Sequence, residues 1–209
     1  MEKQEIRTFG RRHGKKLSAR KELLVANVLP KIAPNESEHI DILEIGFGAG
    51  EHVRELATAQ PNKIILGAEP FVNGVAALLS AVCDENNNII DKYKNIRIWP
   101  DDVRLILDKN KFQFTEIWIL HPDPWPKAKH EKRRLLSAEF LNLLSKNLSN
   151  DGKIIIGTDH WEYYDWIVSQ VQQTKLNRND SEISIIKTRY QTKNMAHTDE
   201  PRYLVLTRN

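Results

Sequence analysis

Cysteine is nearly absent from this chain of 209 residues, in which Cys83 is the only one. A single cysteine excludes an internal disulfide framework and a zinc–thiolate cluster, and it is typical of a reducing cytoplasm. No apolar run approaches the roughly 18 residues that span a bilayer, and the basic N-terminus lacks the apolar segment of a secretory signal. Hydrophobic residues make up 40% of the chain, so the sequence predicts a cytoplasmic protein with a packed core.

Metal-binding patterns are missing as well. Three of the seven histidines, His121, His130 and His160, lie near predicted functional segments, but they are not spaced as metal ligands. Without a Cys/His cluster, the sequence predicts no metal site.

Positive charge is in mild excess, with a net charge of +3, and it is unevenly distributed. The basic residues crowd into two stretches, one with Lys3, Arg7, Arg11, Arg12, Lys15, Lys16, Arg20 and Lys21 and the other with Lys127, Lys129, Lys132, Arg133 and Arg134. Two such clusters favour a polyanionic partner, nucleic acid above all. Solvated protein faces produce the same pattern, so charge alone leaves both interpretations open.

Short apolar runs alternate with helical patterns along the chain. The predicted strands cover residues 40–45, 63–68, 95–99, 116–120, 153–158, 183–190 and 202–207, with a turn at 150–152. The predicted helices begin after a Ser18 cap and at residues 51, 72, 103, 137 and 161. This alternation predicts an α/β, Rossmann-like fold with a mostly parallel central sheet and helices on both faces. We expect a basic arm over residues 1–17 and a single domain over residues 18–209.

A glycine-rich turn, with Gly46, Gly48 and Gly50, follows the first predicted strand, and Glu69 ends the second. Glycines allow ligand atoms to approach the backbone closely, and an acidic residue at the second strand end can bind ribose hydroxyls. A nicotinamide dinucleotide would fit these features too. The GxGxG spacing, and Glu51 where a pyrophosphate would need free N–H groups, favour the cationic cofactor S-adenosylmethionine.

The fourth predicted strand ends in His121-Pro122-Asp123-Pro124-Trp125. Two prolines hold the carboxylate of Asp123 in place, and Trp125 offers a face on which a base can stack. Because ligands bind at the carboxyl ends of parallel strands, we expect this segment to face the glycine-rich turn. A rigid strand exit with a structural tryptophan is the alternative interpretation.

Five segments together resemble the ordered motifs of the bacterial tRNA (guanine-N7-)-methyltransferases. They are LEIGFGAGEH at 43–52, GAEP at 67–70, HPDPWPKAKHEKRR at 121–134, GTDHW at 157–161 and TRYQ at 188–191. The resemblance covers nearly the whole chain from about Arg7 onward, and the third segment is its most specific part. It implies a class I S-adenosylmethionine-dependent methyltransferase that modifies N7 of the variable-loop guanosine of tRNA. It implies tRNA as the partner, and neither a membrane nor an obligatory protein partner is evident.

The resemblance also implies roles for individual residues. Asp123 takes the catalytic position, and the cofactor positions fall on Glu44, Gly46, Gly48, Gly50, Glu69, Asp101 and Asp123. The RNA-contacting positions fall on Lys127, Asp159, Thr188, Arg189, Tyr190 and Gln191. Arg189 stands where lysine is usual and keeps the charge, whereas Gln191 stands where glutamate is usual and removes one. Asp102 lies beside Asp101, so the cofactor contact could fall on either.

Methylation at guanine N7 requires few catalytic groups. The N7 lone pair lies in the ring plane, so attack needs no strong general base and no covalent cysteine, which leaves Cys83 as a core thiol. The product is cationic, and we expect Asp123 to stabilise that charge and to accept hydrogen bonds from guanine N1–H and the N2 amino group. Asp159 is expected to begin a helix as its N-cap, to contact RNA, or both.

Three other functions fit parts of the pattern. Amino-methyltransferases of nucleic acids carry an Asp/Asn-Pro-Pro-aromatic segment at the same strand end, but here the order is Pro-Asp-Pro-Trp. A nucleic-acid-binding module with a vestigial cofactor fold would have lost the glycine-rich turn and its acidic partners. A nicotinamide-dependent oxidoreductase is disfavoured by Glu51. Titration with the cofactor distinguishes the last two from a methyltransferase.

Overall fold

The computed structural model describes residues 8–35, 37–108, 112–179 and 201–208. Within these ranges the α-helices are α1 (Ala19–Asn27), α2 (Glu51–Ala59), α3 (Val72–Val82), α4 (Arg104–Leu107), α5 (Ala138–Lys146) and α6 (Trp161–Val171). The strands are β1 (Ile42–Ile45), β2 (Ile65–Ala68), β3 (Ile96–Trp99), β4 (Phe114–Leu120), β5 (Leu148–Thr158), β6 (Leu176–Arg178) and β7 (Arg202–Arg208). Short 3-10 helices cover Leu29–Ile32, Asp91–Tyr93 and Ala128–Arg133.

These strands form one sheet in the order β3-β2-β1-β4-β5-β7-β6. Strands β1 to β5 pair in parallel, and β7 lies antiparallel between β5 and β6. Strands β2 and β3 follow one another on one side of β1, whereas β4 lies on the other side of β1, so the strand order reverses between β3 and β4. Ligands bind outside the carboxyl ends of the strands at such a reversal. The predicted α/β fold with a mostly parallel sheet is confirmed.

The hydrophobic core lies on both faces of this sheet. Every side chain of β1 and β2 is buried, as expected for strands covered on two faces. One face packs against α1, α2 and α3, through residues such as Leu24, Leu56 and Leu78. The other packs against α4, α5 and α6, through residues such as Leu107 and Leu144. The strand ends are therefore held between two helical layers and aimed at one edge of the domain.

Most predicted elements are present with small shifts of their ends, but two differences have physical causes. The turn predicted at 150–152 is wrong, because those residues lie within β5. Phe114 pairs with Leu148 but Glu116 pairs with Lys153, so extra residues of β5 bulge out of the ladder. Strand β6 was not predicted, because Leu176 is its only apolar residue.

Three further points concern the start of α1, the predicted strand at 183–190 and membrane-spanning helices. Ser18 occupies the N-cap of α1 as predicted, although its side chain makes no capping hydrogen bond. The predicted strand at 183–190 lies outside the described residues. Within the described ranges, no helix combines the length and the apolar character needed to cross a membrane.

Candidate active site

A crevice of about 1300 Å³ opens at the carboxyl ends of the parallel strands. The residues lining it include Gly46 and Gly48 after β1, Glu69 after β2, Asp101 after β3, and Asp123 after β4. The structure therefore brings five of the sequence-predicted site residues to one cavity, from four different strands. Such convergence follows from the parallel order of β1 to β4.

The glycine-rich turn forms the floor of this crevice. Gly46, Gly48 and Gly50 have φ values of 75°, 57° and 80°, in the left-handed region that favours glycine. A Cβ atom on Gly46 or Gly48 would meet no heavy atom within 4 Å, whereas one on Gly50 would lie 2.6 Å from Leu78 Cδ1. The first two glycines thus leave space for a ligand, and the third permits close packing of α2 on α3.

Gly74 on α3 supports the turn from below and was missed by sequence reasoning. A Cβ atom built on it would lie 2.4 Å from the carbonyl oxygen of Gly48. Because both atoms belong to or extend directly from the backbone, neither can rotate away. A glycine inside the otherwise apolar helix VNGVAALLSAV was the available signal.

The carboxylate of Glu69 ties the turn to the end of β2. Its Oε2 accepts a hydrogen bond from Gly48 N at 2.8 Å, and its Oε1 accepts one from Phe71 N at 2.9 Å. Burial raises the pKa of Glu69, the two backbone hydrogen bonds lower it, and the nearby Asp123 and Glu44 raise it, with a net rise. The crevice therefore contains a buried acid whose negative charge a cationic ligand would stabilise.

Glu44 does not line the crevice. Its side chain is 3% exposed, and its Oε2 lies 2.8 Å from Nδ1 of His52, whose ring packs 4.8 Å from that of Trp118. Alternation along β1 explains this placement, because Glu44 shares the α1–α3 face of the sheet with Ile42. Its predicted contact with the cofactor stays a prediction, and its observed contact is with His52 behind the turn.

Asp101 and Asp102 both line the crevice but differ in their partners. Asp102 is 7% exposed and accepts hydrogen bonds from Arg104 and from Thr8 Oγ1, each at 2.6 Å. Asp101 is more exposed and pairs with Arg12 at 2.5 Å. Burial raises the pKa of Asp102, but the hydrogen bonds outweigh it and bring the pKa below its ordinary value. Asp101 is therefore the more exposed of the two carboxylates, and its predicted contact with the cofactor stays a prediction.

The described part of the N-terminal arm closes one side of the crevice. Thr8 and Arg12 reach the two aspartates, and Arg12 O accepts a hydrogen bond from Val72 N at 3.0 Å. Gly14 N donates to Asn73 Oδ1 at 2.8 Å. From the sequence only the positive charge of this arm was apparent, and that charge gives no sign of the polar contacts between the arm and α3.

The exit of β4 carries two residues in the left-handed region, His121 with φ 50° and Trp125 with φ 42°. Between them Asp123 is exposed to the crevice. His121 Nδ1 lies 3.7 Å from Asp159 Oδ1. Burial lowers the pKa of His121, and the Asp159 carboxylate opposes this effect only in part. The two prolines and this pair hold the segment in a strained conformation, as is common at functional sites.

Of the predicted RNA-contacting residues, the structure describes Lys127 and Asp159. Lys127 is exposed at the start of the 3-10 helix Ala128–Arg133. Arg134, a member of the second basic cluster, donates from Nε to Pro124 O at 2.9 Å and lies over the rings of Tyr163 and Trp166. The predicted residues Thr188, Arg189, Tyr190 and Gln191 lie outside the described residues.

Asp159 is not the N-cap of α6, so that prediction is wrong. The cap is His160, whose Nδ1 accepts a hydrogen bond from Tyr163 N at 3.3 Å. The imidazole of His160 therefore caps the first turn of the helix, where the prediction placed the carboxylate of Asp159. Asp159 is thereby left beside His121, and its predicted contact with RNA stays a prediction.

Comparisons with known proteins identify the family. A family model described as "Putative methyltransferase" matches residues 38–203. The chain is 37% identical over 188 residues to the tRNA (guanine-N(7)-)-methyltransferase of Neorickettsia sennetsu, which covers 86% of this chain and 84% of that protein. It is 32% identical over 222 residues to the protein of the same name from Caulobacter vibrioides, which covers 97% of this chain and 95% of that protein. The chain belongs to the tRNA (guanine-N(7)-)-methyltransferase family.

Solved structures support the fold of this tRNA (guanine-N(7)-)-methyltransferase family member. "Structure of an Antibiotic Related Methyltransferase" superposes with a TM-score of 0.59 at 12% identity, covering 93% of this chain and 97% of that one. At that identity the likeness concerns the fold alone. It confirms the Rossmann-like class I methyltransferase architecture that the sequence predicted.

The approach of Gly74 to Gly48 leads to a first prediction. Gly74→Ala places a methyl group against a backbone carbonyl, so the turn has to shift, at a cost of about 1–3 kcal/mol. We expect binding of S-adenosylhomocysteine, measured by calorimetry, to weaken about 5- to 150-fold, since about 1.4 kcal/mol corresponds to tenfold. At Gly10 the added methyl group meets no heavy atom within 4 Å, so Gly10→Ala serves as the control for thermal stability. Unchanged affinity in Gly74→Ala would show that the turn does not depend on this contact.

The lowered pKa of Asp102 predicts a pH-dependent contribution to stability. A carboxyl whose folded pKa is depressed stabilises the fold above its unfolded pKa of about 3.9, and that contribution is lost as pH falls through the lower folded pKa. Asp102→Asn should therefore lower the free energy of unfolding by about 1–3 kcal/mol near pH 7. In urea titrations the difference in free energy of unfolding between the parent protein and Asp102→Asn should become smaller below about pH 4. If this difference does not change with pH over the same range, the ionised carboxylate of Asp102 is not the source of the stabilisation.

Proposed function

We propose that this chain transfers a methyl group from S-adenosylmethionine to N7 of a guanine in tRNA, the variable-loop guanosine, and forms 7-methylguanosine. The observation that carries the proposal is the position of Asp123, which lines the same crevice as Gly46, Gly48 and Glu69. A carboxylate on the β4 exit thus faces a glycine-rich turn of the methyltransferase fold. Relatives that match nearly the full chain are named for this reaction.

The residues of the crevice fit the proposed cofactor. Space above Gly46 and Gly48 accommodates a ligand against the backbone, and the Glu69 carboxylate can accept hydrogen bonds from ribose hydroxyls. Asp101 would lie at the adenine side, beyond the end of β3. Glu69, Asp101 and Asp123 place three carboxylates at the strand ends, where they suit a positively charged molecule. When bound, S-adenosylmethionine supplies an electrophilic methyl group on its sulfonium.

The chain's own contribution to the reaction is positioning and electrostatics. Guanine N7 attacks with a lone pair, so no proton has to leave before the new bond forms. Asp123 accepts hydrogen bonds from guanine N1–H and the N2 amino group, which selects guanine over adenine and holds N7 in line. Its negative charge stabilises the positive charge that develops on the base.

Basic residues around the rim bind the tRNA backbone. Lys127 and the neighbouring Lys129 and Lys132 are exposed beside the crevice and would contact phosphates, which position an RNA without reading its sequence. Asp159 and residues 188–191 complete the proposed RNA surface. We place the reaction in the cytoplasm, where a lone reduced cysteine such as Cys83 persists, and we propose that it needs no protein partner.

The direct test is to incubate the purified protein with unmodified tRNA and methyl-labelled S-adenosylmethionine and to identify the labelled nucleoside by mass. We expect 7-methylguanosine at a single variable-loop site. A different methylated nucleoside would reject the N7 assignment. Cofactor binding without any labelled RNA would favour another acceptor.

Asp123→Asn is expected to lower kcat by about 100-fold, as is usual when one electrostatic stabiliser is removed. The amide presents N–H donors where guanine also donates, and it carries no charge to oppose that of the product. Methyl transfer to tRNA under saturating substrates measures the effect. Asp165→Asn, an exposed position on α6, is the matched control and should retain kcat. Full turnover by Asp123→Asn would exclude the proposed role.

Glu69→Gln is expected to weaken the binding of S-adenosylhomocysteine about 10- to 100-fold, because hydrogen bonds to a charged group contribute about 1.5–3 kcal/mol. The amide can also satisfy only one of Gly48 N and Phe71 N as an acceptor, since its nitrogen only donates. Isothermal calorimetry checks the affinity, with Glu85→Gln on an exposed turn as the control. Equal affinities of the two variants would show that Glu69 does not contact the cofactor.

A further inference from the structure

Trp125 lies two residues after Asp123 and lines the same crevice. Its side chain is only partly buried, so one part of the indole is available to a ligand. A tryptophan next to the carboxylate proposed to hold guanine is well placed to contact the same base.

The indole ring is held in one orientation without any RNA. Pro124 and Pro126 flank it, and Arg134 Nε fixes the carbonyl of Pro124. The ring forms a T-shaped contact with the imidazole of His130, with centroids 5.7 Å apart and an interplanar angle of 89°. A stacking face that is already oriented loses little conformational entropy when a base binds.

A cation lies over this face. The guanidinium of Arg133 is 5.0 Å from the centroid of Trp125 and 5.8 Å from that of Phe9. Within the described ranges Arg133 forms no ion pair, and its Nε is buried without a hydrogen-bond partner. By contrast, Arg134 donates from Nε to a carbonyl, and Arg104 pairs with Asp102. A buried donor without a partner is costly, and the guanidinium of Arg133 lies between the two aromatic rings.

We propose that the target guanine stacks on Trp125 in the place that the Arg133 guanidinium occupies here, and that the indole stabilises the positive charge that methylation creates on the base. The inference rests on the proposed function and names a further residue for it. A guanidinium is a planar, delocalised cation, and so is the N9-linked base of 7-methylguanosine. The indole face attracts the guanidinium through its ring quadrupole, so it is also suited to bind the methylated base.

This arrangement favours the transition state over the bound substrate. Guanine is neutral before transfer, so its stack on Trp125 gains a cation–π component only as the new N–CH₃ bond forms. An interaction that strengthens along the reaction raises kcat. Asp123 contacts the edge of the guanine ring and Trp125 contacts its face, so the two residues stabilise the developing charge in different ways.

The test compares Trp125→Phe and Trp125→Leu in two measurements. The first is the single-turnover rate of methyl transfer at saturating tRNA. The second is the ratio of affinities for tRNA with and without 7-methylguanosine, in the presence of S-adenosylhomocysteine. Trp161→Leu is the matched control, because Trp161 is 43% exposed and also carries a guanidinium, that of Arg202, 3.3 Å from its ring centroid.

We expect Trp125→Leu to slow the single-turnover rate about tenfold, in the range found when a base–aromatic stack is removed, and to lower the preference for methylated tRNA. Trp125→Phe, which keeps an aromatic face, should lie between Trp125→Leu and the parent protein in both measurements, and Trp161→Leu should match the parent. A Trp125→Leu protein with the parent rate and the parent affinity ratio would overturn the inference. If Trp125→Leu does not fold, a Trp125→Phe protein equal to the parent in both measurements overturns it instead. Absence of 7-methylguanosine with the parent protein would overturn the proposed function, and the inference with it.

Discussion

The active-site crevice depends on the carboxylate of Glu69, which accepts hydrogen bonds from Gly48 N and Phe71 N. The first bond joins the turn after β1 to the end of β2, and the second holds the carboxylate in place within the turn after β2. The carboxylate is buried at a cost, visible in its raised pKa. Gly74 completes the arrangement from below, because only a residue without a side chain lets α3 approach Gly48 so closely.

A second set of contacts gives the crevice its outer wall. Arg12 and Thr8 attach the arm to Asp101 and Asp102, while Phe9 lies near the guanidinium above Trp125. Exposed ion pairs such as that of Arg12 contribute little to stability, whereas the bonds of Asp102 are buried and charge-assisted. Of the arm's contacts with these two aspartates, the one with Asp102 is therefore firm and the one with Asp101, the aspartate proposed to bind the cofactor, is weak. It links the proposed cofactor and guanine subsites along one edge.

Local patterns predicted the fold well where a single element decides the outcome. Helices α2 and α3 begin at the predicted residues, because apolar spacing and the preceding turns agree there. The orientation of Glu44 could not be predicted, since it depends on which face of β1 the helices α1 to α3 cover. Likewise, the cap of α6 fell to His160 rather than Asp159. The support from Gly74 and the contacts of Thr8 join residues far apart in the chain, and no local pattern encodes them.

The central claim is that N7 of a guanine held in this crevice accepts the methyl group. The most direct measurement uses a tRNA in which 7-deazaguanosine replaces the variable-loop guanosine, so that a carbon stands in place of N7 while the N1–H and N2 donors remain. The account predicts that this tRNA binds as the parent tRNA does, competes with it, and accepts no methyl group. Methylation of the substituted nucleoside at the parent rate would contradict the account.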